Sequence, residues 1–470
     1  MKISKIHKIF LKIASMRKVL PEKLKKLASL CPKPLYVVGG FARDFLANLH
    51  SKHPDIDICG AMLAEEFAEY AAAAGLTAQA VYKHTGTVKL TDGEGNDFEY
   101  ACFRSDEYVR GEHTPATIYF TQDITLDARR RDFTANAVYY DIEAGSFVDP
   151  LGGIAAISEK RLTTVDRPEK VFGEDGLRLM RLARFAAQLG FTPDEECLKG
   201  ATVNADKIDD ISPERIFAEL TQILHADEKY GVQDGHYQGL LVLEQIQVLA
   251  RILPELTLGK GIAQRPDFHK YDILFHSLRA VKYAAPEVRL AVLLHDVGKP
   301  FCHLRDGNSH NHPVEGERIA REILLRLKAP KKTVEEVCAL TLWHMYDFNG
   351  QTKENKLRRF FVQHYPLLEK LLLVKQADFS GCADDTATAP TVERWTRLLA
   401  KMKKEGAPMT LKQLKIGGKD LLDRIPAPTI SRVLDELLLH AACFPKDNNR
   451  ETLLRLVPHA LQTVCSRESR

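Results

Sequence analysis

The patterning of the chain changes character at Pro168, and that change restricts the fold more than any single motif does. Between Leu35 and about Val165, short runs rich in β-forming residues (LYVVGG, DIDICG, TVKLTD, DFEYACF, AVYYDI) are punctuated by Gly and Asp. This predicts an α+β fold whose N-terminal part is a mixed α/β unit with a small antiparallel or mixed sheet. Beyond Pro168 strand signals nearly vanish. Stretches such as DGLRLMRLARFAAQL, SPERIFAELTQILHA, VRLAVLLHDVGK and GERIAREILLRLKA carry apolar residues at helical spacing, so the remainder is predicted all-α, in two or three bundles. Gly, Pro and small polar residues cluster again at 256–268 and 382–390, which marks further boundaries. The predicted organisation is a basic N-terminal helix over 1–33, a head over 34–165, a helical neck over 166–260, a second helical domain over 261–385 and a helical tail over 386–470.

Composition excludes several classes. A chain of 470 residues with 45% hydrophobic content can bury several cores. No run of 18 apolar residues is present, so no membrane span is predicted. The nine cysteines are scattered, odd in number and without a Cys-x-x-Cys pair, which argues against a zinc ribbon or a disulfide framework and predicts reduced thiols in a cytoplasmic protein. Charge is unevenly spread. Met1 to Lys33 carries ten Lys/Arg against one acid, so the rest of the chain holds −6, the difference between the total of +3 and the +9 of this segment. Lys interrupts every apolar run there, unlike a signal peptide. The near-helical spacing of Ile3, Ile6, Ile9, Ile13 and Leu20 suits a basic helix near phosphate or a solvated helix equally.

The chemistry begins at LYVVGGFARDFLANL, read as strand, glycine turn and helix start. Gly39 and Gly40 let backbone N–H groups approach an anion at the positive end of a helix. In DIDICG, Asp55 and Asp57 are two apart on a strand and so point the same way, as hard-cation sites that activate phosphates require. A solvated edge would show the same spacing. The order of phosphate-cradling turn, Arg43-Asp44 and paired carboxylates favours nucleotidyl transfer.

Gly39-Gly40-x-x-Arg43-Asp44 followed by Asp55-x-Asp57 resembles motif A of the class II tRNA nucleotidyltransferase and poly(A) polymerase family, a branch with a polymerase β-like head. RRDFTANA (130–137), FVDPLGGIAAI (147–157), EDGLRLMRLARFAAQLGF (174–191) and SPERIFAEL (212–220) resemble its later motifs in family order. The resemblance implies template-independent addition of CCA to the 3′ end of tRNA from CTP and ATP. Asp55 and Asp57 are then catalytic and bind Mg2+, Gly39, Gly40 and Arg43 hold the triphosphate, and Arg131 and Asp132 lie near the ribose. Asp44 orders the loop by pairing with a neighbouring Arg. Glu99 is a candidate third carboxylate or a solvent-facing strand residue. Asp175 and Arg178, three apart on a predicted helix and hence on one face, act in the family as a protein template that pairs with cytosine or adenine. Arg181 and Arg184 share the nucleotide site, contacting phosphate or supporting that pair. In the loop 104–120, Tyr108, His113 and Pro115 resemble the family pattern, while Gly111 and Glu112 replace its usual acidic and Arg positions. A poly(A) polymerase or an enzyme limited to C or to A addition is the nearest alternative. A non-catalytic RNA-binding scaffold with only hydrolase activity is a more distant one.

AVLLHDVGKP carries a His295-Asp296 pair, with His276 before it and His312, His344 and Asp378 after it. This order resembles the HD phosphohydrolase domain, over about 268–381. The resemblance implies that His276, His295, Asp296 and Asp378 bind a divalent transition metal. His312 and His344 are candidates for a second metal or for orienting substrate, and Lys299 for a phosphate contact. A phosphatase or 2′,3′-cyclic phosphodiesterase acting on RNA ends is the activity implied. TLKQLKIGGKDLLDRI (410–425) reads as packing or as an RNA contact.

Overall fold

The computed structural model describes residues 16–50, 55–107, 117–267 and 269–468. The expectations for residues 1–15 and for Tyr108, Gly111, Glu112, His113 and Pro115 lie outside them. The chain divides into two compact units, one formed by 1–257 with 326–328 and one by 258–325 with 329–470.

In the first unit a seven-stranded sheet has the order β3-β4-β5-β2-β1-β8-β9, with β1 Leu35–Val38, β2 Ile56–Gly60, β3 Thr77–Tyr82, β4 Thr87–Thr91, β5 Asp97–Cys102, β8 Tyr139–Asp141 and β9 Ser146–Val148. Every neighbouring pair is antiparallel except β2 and β5, which run parallel in the register Asp57 opposite Glu99. A separate hairpin joins β6 Arg104–Glu107 to β7 Thr117–Phe120.

Strand alternation sorts the side chains between two cores. Ile58, Phe98, Tyr100, Leu35 and Val37 pack with Leu24 and Leu27 of helix α1 (Glu22–Leu30), and Phe67 of helix Ala64–Ala74 stacks on Tyr100 at 3.6 Å. Val38, Cys59, Phe103 and Tyr139 form the opposite face with Val171. Asp57, between the buried Ile56 and Ile58, must therefore project on the side of Cys59.

The neck helices pack around Leu177–Leu189, which is buried on nearly all sides. It is not all-α: Arg161–Leu162 pairs in parallel with Thr192–Pro193, a two-residue ladder too short to leave a periodic signal. The second unit is helical throughout its regular elements among the described residues. Its helix Ile273–Tyr283 is capped by Asp272, whose side chain accepts from Phe275 N at 2.7 Å. In the 410–425 stretch, Gly417 caps a single 3-10 turn over Gly418–Asp420. No helix among the described residues is long and apolar enough to cross a membrane.

Candidate active sites

The first unit opens into a cleft of about 850 Å³ lined by the glycine turn, Asp55, Asp57, Arg43, Arg131, Asp132, Asp175, Arg178, Arg181 and Arg184. The turn forms because Gly39 takes φ +74°, a conformation that glycine adopts at little cost, and a Cβ there would stand 3.3 Å from Asp57 Oδ2. Helix Gly40–Ala47 starts at the turn, so its first turn, whose N–H groups lack partners within the helix, lines the same cleft as Asp55 and Asp57.

Asp55 lies one residue ahead of β2, and Asp55, Asp57 and Glu99 all reach solvent, but Asp57 does so from within the cleft, where protein packed around it displaces much of its water. The parallel register sets Glu99 beside Asp57. Loss of surrounding water and the charges of Glu99 and Asp55 push the Asp57 carboxyl up to about 6, against the pull of Arg131. Such a crowd of carboxylates is what a cation would relieve, so the donor set fits a hard divalent ion.

The arginines are held rather than free. Arg43 is buried, donating from Nε and Nη2 to Asp44 Oδ1 (2.9 and 2.7 Å) and from Nη1 to Asn136 Oδ1 (2.6 Å). Tyr230 donates its hydroxyl to Asp44 Oδ2, so the predicted role of Asp44 in ordering the loop matches its contacts. Arg131 donates to Asp127 Oδ2 at 3.0 Å, and the same oxygen accepts from Tyr139 at 2.8 Å. Asp127 also accepts from Arg130 at 2.7 Å and is fully buried. Asp132 accepts from Asn136 and from Arg181 Nε (2.7 Å), and Arg181 Nη2 lies 2.6 Å from its Oδ2 as an ion pair. Burial alone would raise its carboxyl, but the Arg181 charge and these donors bring it down to about 2. Arg184 donates to Glu219 Oε2 at 2.6 Å, which favours a supporting role. The Phe185 ring is the shared platform, with Arg43, Arg181 and Arg184 stacked on it at 5.2, 5.1 and 4.3 Å.

One expectation needs correction. Asp175 and Arg178 do not share a helix face, because Asp175 sits between helices Pro168–Glu174 and Leu177–Leu189 in extended conformation (φ −145°, ψ 108°). Its Oδ1 accepts from Leu177 N at 3.0 Å. Arg178 instead pairs with Glu174 (3.0 Å) and donates to Val171 O (2.9 Å) and Arg130 O (2.8 Å). Both still line the same cleft. Asp127, Glu174, Phe185, Glu219 and Tyr230 were not singled out from sequence; Glu174, Phe185 and Glu219 lie inside the quoted motifs, whereas Asp127 and Tyr230 carried no signal.

In the second unit His276, His295, Asp296 and Asp378 converge: His276 Nε2 is 3.1 Å from Asp378 Oδ1 and 3.3 Å from Asp296 Oδ2, and His295 Nε2 is 3.3 Å from Asp296 Oδ2. On the other side of the same carboxylate, His312 and His344 stand 3.3 and 3.5 Å from Asp296 Oδ1. Asp296 thus bridges two ligand groups. Lys299 Nζ lies 2.6 Å from Asp296 Oδ2, yet no donor meets either Asp296 oxygen in hydrogen-bond geometry. His295, His312 and His344 each turn Nδ1 to the backbone oxygen three residues earlier (2.6, 2.8 and 2.7 Å), which leaves Nε2 to face the centre. Buried carboxylate oxygens without donors, ringed by oriented imidazoles, fit a divalent transition metal. His269 and Cys382, beside His276, were also not anticipated.

Three family models match the chain. The model of the Poly A polymerase head domain matches residues 35–163, that of the probable RNA and SrmB-binding site of polymerase A matches 190–258, and that of the HD domain matches 273–378. A multifunctional CCA protein of Neisseria gonorrhoeae is 31% identical over 343 residues, covering 68% of this chain and 76% of the relative. An A-adding tRNA nucleotidyltransferase of Deinococcus radiodurans is 29% identical over 436 residues, covering 86% and 91%. In fold the chain is similar to the Bacillus stearothermophilus CCA-adding enzyme in complex with CTP (TM-score 0.63, 23% identity, 96% and 100% coverage). The Thermotoga maritima CCA-adding enzyme complexed with tRNA is similar too (TM-score 0.62, 20% identity, 96% and 98% coverage).

Proposed function

The chain belongs to the class II CCA-adding tRNA nucleotidyltransferase and poly(A) polymerase family, and from that premise we propose that it adds CCA to tRNA 3′ ends from CTP and ATP in the cytoplasm. The observation that carries the reading is one cleft that brings together a glycine turn, Asp55 and Asp57 and a set of fixed arginines, with Glu99 opposite Asp57 on the neighbouring strand.

Asp55 and Asp57, with Glu99 beside them, are the residues that would hold Mg2+, which when bound lowers the pKa of an attacking 3′-hydroxyl and offsets charge on the pyrophosphate. The turn at Gly39-Gly40 offers backbone N–H groups to the triphosphate. Arg43, locked to Asp44 and Asn136, keeps that turn in shape and adds positive charge behind it. Arg131, held by Asp127, and Asp132, held by Arg181, form the ribose side. Asp175 can accept from the exocyclic amine of cytosine or adenine while Arg178 donates to the ring, and uracil and guanine present a carbonyl where the amine is needed. Arg184 supports this wall through Glu219. Head (34–165), neck (166–260), HD domain (261–385) and tail (386–470) would divide nucleotide activation, base selection, hydrolysis and tRNA contact.

For the HD domain we infer a metal-dependent phosphohydrolase, a phosphatase or 2′,3′-cyclic phosphodiesterase. His276, His295, Asp296 and Asp378 would hold one metal, and His312 and His344 a second or the substrate. Lys299 would meet a phosphate.

The decisive assay offers each nucleoside triphosphate to tRNA lacking CCA, ending in C, or ending in CC, and resolves products at single-nucleotide length. Addition of CCA followed by arrest, lost in Asp55→Ala/Asp57→Ala, is the expected result. Growth by A alone would point instead to the activity that the Deinococcus relative is named for, a reading favoured by Gly111 and Glu112 in the loop 104–120. Unlimited A addition would make it a poly(A) polymerase.

A further inference from the structure

Of the four histidines at the HD centre, His276 alone lacks a backbone anchor for Nδ1. That nitrogen is buried without a hydrogen-bond partner, while Nε2 faces Asp296 and Asp378. A buried orphan of this kind costs about 1–3 kcal/mol, so what lies around it matters. The His269 ring stands 4.8 Å away, nearly perpendicular, and its own Nδ1 is likewise buried and unpartnered. Cys382, whose thiol donates to Asp378 O at 3.3 Å until an ion replaces that proton, completes the group: one donor atom each from His269, His276 and Cys382 lie within 4.8 Å of one another.

The backbone builds this proximity. Lys270 N donates to Cys382 O at 2.9 Å, which ties the segment carrying His269 to the end of helix Leu368–Ala383. The Lys270 side chain donates to Ala383 O at 3.2 Å on the same helix end.

We propose that His269, His276 and Cys382 form an additional metal site, for a borderline-soft divalent ion of the Zn2+ class, next to the HD centre. One imidazole serves both, with Nε2 of His276 turned to the HD centre and Nδ1 to this site. Two imidazoles and a thiolate suit Zn2+ or Co2+ and disfavour Mg2+. Three protein ligands leave a position for water, and the partial exposure of His269 and Cys382 gives an ion a way in. On binding, the Cys382 S–H bond breaks, a sulfur–metal bond forms and the proton passes to solvent; the His276 Nδ1 proton leaves in the same way.

The proposal rests on the HD reading only through His276, and thiolate ligation reports on the new site alone. The test strips the full-length protein of metal and titrates it with Co2+, following thiolate-to-cobalt charge-transfer absorption in the near ultraviolet. The expected band is abolished in Cys382→Ser, has at least tenfold weaker cobalt affinity in His269→Gln, and persists in His312→Ala/His344→Ala. No band in the parent, or a band unchanged in both Cys382→Ser and His269→Gln, overturns the site. His269 is partly exposed, so His269→Gln decides if Cys382→Ser does not fold. A parent protein that shows the band but releases no phosphate from 2′,3′-cyclic or 3′-phosphate ends would count against the HD reading and leave this site standing.

Discussion

Asp57 and Asp132 line one cleft, yet their surroundings push their carboxyls in opposite directions, to about 6 and about 2. Asp132 is buried but receives Arg181 and Asn136. Its folded pKa is depressed below the ordinary 3.8, so its stabilisation is present above that value and lost as pH falls toward 2. Asp132→Asn should therefore cost about 2 kcal/mol at neutral pH, with the cost fading below about pH 4. Asp57 has the opposite sign. Its contribution to stability is present at low pH and lost as pH rises through about 6. Asp57→Asn should then raise the Tm at neutral pH in chelator and leave it unchanged near pH 4. Thermal melts of both variants across that range check the pair. A less stable Asp57→Asn at neutral pH would mean that crowding with Glu99 and Asp55 does not raise this carboxyl.

At the scale of elements, the break between the two neck helices positions Asp175 and Arg178, the residues proposed to select the base. The α-carbon of Gly176 is pressed against the chain at Lys207, where a Cβ would lie 2.0 Å from the carbonyl oxygen. Gly176→Ala must displace the Asp175 turn, costing about 1–3 kcal/mol as overpacking does, and should lower nucleotide incorporation more than tenfold. Denaturant unfolding together with the incorporation assay tests this; a variant equal to the parent in both would show that the turn tolerates the shift. The same contact explains why sequence reading placed Asp175 on the helix. Periodicity runs unbroken through EDGLRLMRLARF, and the obstacle comes from a residue 31 positions away. What was legible was local: the strand-turn-helix around Gly39-Gly40 and the alternation around Asp57 need only neighbours. The supports were not legible, because Arg181 finds Asp132 49 residues away and Arg184 finds Glu219 35 away. The residues proposed as HD ligands were grouped from their order in the chain, and the structure brings them together, whereas His269 gains meaning only once folding sets it beside Cys382.

Across the whole molecule, the residues proposed for each centre fall within one compact unit. The carboxylates and arginines of the transfer cleft all fall in residues 1–257, and the HD ligands from His276 to Asp378 all fall in the other unit. Substitutions without shared partners add nearly independently, so the two activities should separate. His295→Ala/Asp296→Ala removes two of the four residues that would hold the first HD metal. Truncating Asp296 also takes away the carboxylate that both ligand groups share. That variant should lose phosphatase and cyclic phosphodiesterase activity by more than 100-fold, while CCA addition stays within about twofold of the parent. Asp55→Ala/Asp57→Ala should do the reverse. Both variants are assayed on the same preparations for nucleotide incorporation and for release of phosphate from 2′,3′-cyclic and 3′-phosphate ends. If the HD variant lost CCA addition as well while its thermal unfolding stayed that of the parent, the second unit would have to serve the transfer reaction itself, and its metal ligands would belong to one mechanism rather than two.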